Sequence, residues 1–298
     1  MKIRERYNLI FRQPSGFILT WIVSFGLVML ASRIFSPYVD SIESSTLIIV
    51  VQNISAILTV GIAIAIIIGG FRTSHLAFFS KRALLTSGVV SVVVFILTAF
   101  LVRMKPDSNW LIMFNGLGLV FLSFTIGELL SREVMHRGHL VPTVFVLALV
   151  DSWSVSRGFS GQIAHKVTEF AHKGGYSGIL APPWSSFLLL RYPQFATREV
   201  YSFIGVGDLI IIAFFIGCIY RFKLPTLISL AALISGTILA VLIANIINKP
   251  IPALPIIATL FLIVNFKRLS MQKNDIIISA IALGIIIVVI LFLSLKYQ

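Results

Sequence analysis

Nine apolar runs follow one another along the chain, at 16–36, 46–70, 83–102, 110–130, 139–156, 200–220, 224–247, 251–266 and 275–295. Each is long enough, or nearly so, to cross about 30 Å of hydrocarbon at roughly 1.5 Å per residue. The runs at 139–156 and 251–266 are the shortest. The sequence is 58% hydrophobic and 12% charged, with a mean hydropathy of +1.00. A soluble domain needs far more polar surface than this. The expected fold is therefore all-α, a polytopic membrane protein with about nine transmembrane helices in a single domain over 1–298. N-terminal helices occupy about 16–130, a central set about 139–266, and an extra C-terminal helix about 275–295.

The formal net charge of +13 raises nucleic acid as a partner. The basic residues, however, fall in short clusters between apolar runs, as loops at an anionic membrane surface do. The partner implied is the lipid bilayer and not nucleic acid. Cys218 is the single cysteine and lies inside an apolar run, so there is no disulfide framework. Basic residues precede the first run as in a signal peptide, but no small-residue cleavage site follows, and an uncleaved first helix is expected.

Lys and Arg number 24. Fourteen fall on the N-terminal side of the membrane implied by nine spans and nine on the other, with Arg33 inside the first span. Five of the nine belong to the long 157–199 connection, where charge steers topology less. The bias predicts a cytoplasmic N-terminus and an outer C-terminus. Within 157–199, Ile163, Val167 and Phe170 recur at helical spacing, which predicts a helix lying in the interface. The segment GILAPPWSSFLLLRYP is apolar but short and broken by Pro182 and Pro183, so it reads as re-entrant or surface-lying.

Acids within the runs carry the chemistry. Glu128 sits near the end of its run and is expected to reach the interface. Asp151 in VFVLALVDSWSVS and Asp208 in IGVGDLIII lie deeper, where a charge costs roughly 2.5–3.5 kcal/mol unless it meets a cavity or partner. In antiparallel spans, taken as continuous helices, their depths differ by about 3 Å. Two carboxyls meeting in a low dielectric share one proton. One can then take a proton from water while the other protonates a peptide carbonyl. The competing interpretation pairs each acid with a polar neighbour, as in a proton- or ion-coupled transporter with Asp151 and Asp208 as the ion site.

Gly205 and Gly207, just before Asp208, permit a loosened helix and close approach of another backbone. Pro250, Pro252 and Pro255 cluster at the start of the eighth run and leave irregular backbone at membrane depth. GVGD at 205–208 resembles the GxGD motif of the presenilin and signal peptide peptidase group of intramembrane aspartyl proteases. PAL at 252–254 resembles that group's PAL motif, two runs later as in the family. The resemblance covers roughly 140–266. It implies that Asp151 and Asp208 are the catalytic aspartates, that Gly205 and Gly207 shape the second, and that Pro252, Ala253 and Leu254 help dock an unwound transmembrane peptide substrate. It implies neither metal nor cofactor. Two departures stand: Val150 precedes Asp151 where the family has tyrosine, and the motifs fall in the fifth, sixth and eighth runs, whereas the family has them in the sixth, seventh and ninth.

Other chemistries find less. RGFSG at 157–161 holds a rhomboid-like GxSG with Ser160, but no histidine follows His172 to act as base. His165, Glu169 and His172 share a helical face, which reads as a solvated interface, and no H-E-x-x-H occurs. Prepilin peptidases also carry GxGD, but their motif continues with a lysine where this chain has Ile210.

Overall fold

The computed structural model describes residues 14–42, 45–77, 81–106, 108–156, 183–194, 200–247 and 251–269, with 158, 161–163, 166, 169, 277 and 284 as separate positions. Eight α-helices account for most of it: α1 Pro14–Asp40, α2 Ser45–Ala77, α3 Lys81–Met104, α4 Asn109–Glu133, α5 Leu140–Ser156, α6 Val206–Arg221, α7 Thr226–Ile247 and α8 Leu254–Asn265. Among the described residues, six candidate spans are long and apolar enough to cross a membrane: Phe17–Val39, Ile54–Phe71, Arg82–Met104, Asn109–Glu133, Arg137–Val155 and Thr226–Ala244. The chain is a mostly helical, multi-pass membrane protein. Exposed apolar side chains such as Leu19, Val89, Ile96 and Phe100 are lipid-facing surface rather than defects, because lipid is the solvent there.

The structure is mostly helical, and the expected sixth run is helical only from Val206. Residues 200–205 are not helical; they form strand β2, Val200–Gly205, and the helix begins only at Val206. β2 pairs antiparallel with β1, Leu189–Pro193, with a register irregularity between Leu190 and Arg191. Both strands are rich in aromatic or branched residues, which favour a pleated surface. Short apolar runs look alike as helix or strand in sequence, and no period separated YSFIG from the helix behind it. The segment from Pro183 is also resolved in kind: a 3₁₀ turn at Trp184–Leu188 leads into β1. Residues 178–182 lie outside the described residues, as do Val167, Phe170 and nearly all of 275–295.

Two compact units emerge, Met1–Glu128 with Lys166–Ile216, and Leu129–His165 with Gly217–Gln298; their boundary falls inside α4 and α6. In the first, α1 packs on α2 and carries β1 against it. Tyr192 of β1 is fully buried. It donates its hydroxyl to Ser24 at 2.9 Å and meets Trp21 and Phe25 edge-on at 5.4 Å each. Burial pushes its phenol up to about 12, with the Ser24 hydrogen bond opposing. Arg191 beside it is also buried, its guanidinium 4.9 Å from the Phe187 ring centre.

α4 and α6 approach closely at Gly127. A Cβ there would lie 2.3 Å from the Ile210 carbonyl oxygen and 2.6 Å from Ala213 Cβ, so only glycine lets the backbones come this near. Glu128, next in the chain, is 2% exposed. Its side chain is buried within the protein, where one reaching outward was expected.

In the second unit, α8 packs against both α7 and α5. Gly236 admits Ile257, whose Cα would be 2.8 Å from an added Cβ. Asn265 and Ser229, both fully buried, join α8 to α7 by a 3.0 Å hydrogen bond. The end of α6 is a Schellman turn: Leu224 N–H donates to Ile219 O and Lys223 N–H to Tyr220 O, with Lys223 left-handed at φ 52°. Arg221 donates to the carbonyls of Ser131 (2.8 Å) and Arg132, capping α4 at its negative end.

Candidate active site

Asp151 lies on α5, half-buried, beside the broken start of α8. Pro252 and Ala253 are not helical, and α8 begins at Leu254 with Pro255 in its first turn. The first N–H groups of a helix have no partner within it, and Ala253 at the N-cap supplies no side-chain bond. Asp151 fills that role from another helix: its Oδ2 accepts the Leu254 N–H at 3.1 Å. A carboxylate at a helix N-terminus also meets the positive end of the helix dipole. One unit thus brings together Asp151, Pro252, Ala253 and Leu254. Leu254's side chain is fully buried, whereas Pro252 and Ala253 are half-buried. Any surface for a peptide is therefore offered by those two residues and their backbone, not by the leucine side chain.

Asp208 belongs to the other unit, in the first turn of α6. Its Oδ2 accepts the N–H of Gly205 at 3.3 Å, the reach-back bond of a capping box. The motif thus sits at a strand-to-helix junction rather than within a helix. Gly205 ends β2 and caps α6, and Asp208 follows three residues later. Gly207 is exposed, with nothing within 4 Å of an added Cβ. The open space at Gly207 leaves the Asp208 turn approachable by a second backbone. Because 200–205 are extended, at about 3.3 Å per residue, the equal-depth estimate made for continuous helices does not apply to Asp208.

Sequence reasoning named the carboxylates but missed the Leu254 N–H as a partner; a backbone donor has no sequence signature beyond the prolines that strip its neighbours. It also missed the hairpin that delivers Gly205. No group of three His, Cys, Asp or Glu able to hold a metal occurs among the described residues. Ser160, His165 and His172 lie outside them, and Glu169 is exposed.

No family model, curated protein or solved structure matches the chain.

Proposed function

We propose that the chain is an intramembrane aspartyl endopeptidase of the presenilin and signal peptide peptidase type, cutting transmembrane segments or signal-peptide remnants. The observation that carries this reading is the bond between Asp151 and Leu254. Residues 103 positions apart, singled out by an acid within an apolar run and by a PAL motif, meet where a helix begins.

In the proposed reaction Asp151 and Asp208 hold one proton between them. The ionised carboxylate takes a proton from water, whose oxygen attacks the scissile carbonyl carbon. The protonated carboxyl gives its hydrogen to the carbonyl oxygen. The tetrahedral diol then collapses: the leaving nitrogen takes the pair's proton, the C–N bond breaks, one diol hydroxyl returns its proton to the other carboxylate, and the new carboxylic acid and amine depart with the pair again holding one proton. No covalent enzyme intermediate forms. A helical substrate hides its carbonyls in i to i−4 bonds, so it must unwind locally. Irregular backbone at Pro252 and Ala253 and the open turn at Gly207 suit an extended strand. On this reading α6, α8 and the 275–295 run complete the nine spans, and the N-terminus is cytoplasmic.

A proton- or ion-coupled transporter is the second reading. It is favoured by one specific observation, that each acid accepts a backbone N–H where a helix begins after non-helical backbone, and acids beside broken backbone at membrane depth mark ion pathways. Vesicles containing the protein and a membrane-embedded peptide, in ¹⁸O-water, separate the two. The protease reading expects products cut within the apolar stretch, with one heavy oxygen in the new carboxyl. Intact peptide together with ion flux would replace it with the transporter.

A further inference from the structure

Arg33 lies on α1 inside the candidate span Phe17–Val39. Among the described residues its guanidinium makes no hydrogen bond or ion pair. A guanidinium inside a span is costly unless it finds an anion, water or the interface. It stands seven residues before Asp40, the last residue of the helix, or about 10 Å along the axis, within snorkelling reach of the headgroup layer.

There it lines a cavity of about 480 Å³ together with Ser108, Asn109 and Trp110 at the start of α4. The remaining wall includes Phe25, Met29 and Leu30 of α1. One end therefore offers a planar cation, a hydroxyl and a carboxamide; the other is apolar. Arginine's fork matches two oxygens of a phosphate at once. Trp110 is 66% exposed, as an indole settled at headgroup level would be. Among the described lining residues Arg33 is the charged one, and a net-negative headgroup would meet it there.

We propose that this cavity binds the phosphodiester headgroup of an anionic phospholipid, with Arg33 as its principal contact and the first acyl carbons along Phe25, Met29 and Leu30. It is independent of the proteolytic reading.

Native mass spectrometry of the full chain, released from micelles containing equal phosphatidylglycerol and phosphatidylcholine, tests it. The wild type should retain phosphatidylglycerol preferentially. Arg33→Gln should lower that retention about tenfold, in line with the loss of a charged hydrogen-bonding partner. Arg33→Lys, which keeps charge but loses the fork, should fall between, and it carries the test if Arg33→Gln does not fold. Ser108→Ala should weaken retention about threefold. Equal retention of both lipids, or undiminished phosphatidylglycerol on the folded Arg33 variants, would overturn the proposal. Arg33-dependent thermal stabilisation by inorganic phosphate in lipid-free detergent, without lipid preference, would reassign the site to free phosphate.

Discussion

The carboxylate of Asp151 on α5 and the backbone N–H of Leu254 at the start of α8 are joined at 3.1 Å. A side chain from one helix thereby does for another what its own N-cap residue, Ala253, cannot. Asp151→Ala should strand that N–H and cost about 1–3 kcal/mol, while Asp151→Asn, which keeps a carbonyl acceptor, should cost about 1 kcal/mol. Thermal unfolding in detergent with hydrogen exchange at Leu254 reads both effects. An amide that exchanges as slowly in Asp151→Ala as in the wild type would show that the cap contributes nothing.

Gly207 and Gly127 are expected to respond in opposite ways. An added methyl at 207 meets nothing, and alanine is the better helix former by about 1 kcal/mol. Gly207→Ala should therefore raise stability slightly and, if a substrate strand approaches this turn, lower turnover. At 127 the same methyl would run into the Ile210 carbonyl, and Gly127→Ala should cost about 1–3 kcal/mol or more. Melting temperatures of the two variants, with turnover of the first, decide the point.

Lys223 occupies the left-handed position closing α6. Glycine bears no Cβ penalty there, so Lys223→Gly should stabilise the protein by about 1 kcal/mol. An unchanged or lower melting temperature would count against the Schellman geometry.

Tyr192 ties the hairpin to α1. Removing its hydroxyl in Tyr192→Phe should cost about 1 kcal/mol through the lost Ser24 bond. Its phenol, ordinarily near 10, is raised to about 12 by burial. The native state thus holds a proton that the unfolded chain releases. Its contribution is intact below pH 10 and is lost as pH rises through 12. Wild type should lose stability over that window more steeply than Tyr192→Phe; parallel curves would contradict the burial of the phenol.

Much of the architecture was legible because the bilayer imposes length. Among the described residues, six of the nine apolar runs coincide with helices long enough to span. The run at 200–220 departed only at its start: 206–220 is helical, but valine, tyrosine, phenylalanine and isoleucine suit a strand as well as a helix, and the partner that decides, 189–193, is supplied by tertiary pairing. Glu128 is buried where a boundary residue was expected, because distance from a helix end gives depth along the helix and not the face that packs. At the candidate site, Asp151 and Asp208 were marked as acids within apolar sequence, whereas 205, 207 and 252–254 were marked chiefly by the resemblance of GVGD and PAL to family motifs. That Asp208 caps its own helix and Asp151 caps α8 was not, because both bonds run to backbone.

The central claim is that Asp151 and Asp208 act as one catalytic pair, and cleavage kinetics test it most directly. Initial rates would be measured for a bilayer-embedded peptide in vesicles carrying wild type, Asp151→Asn, Asp208→Asn or the double variant, each shown to be folded. Groups that act as a unit lose nearly everything when either is removed. Each single variant should therefore fall to the rate of the double variant. Cleavage that survives in either folded single variant, or a wild type that never cuts the peptide, would contradict the account.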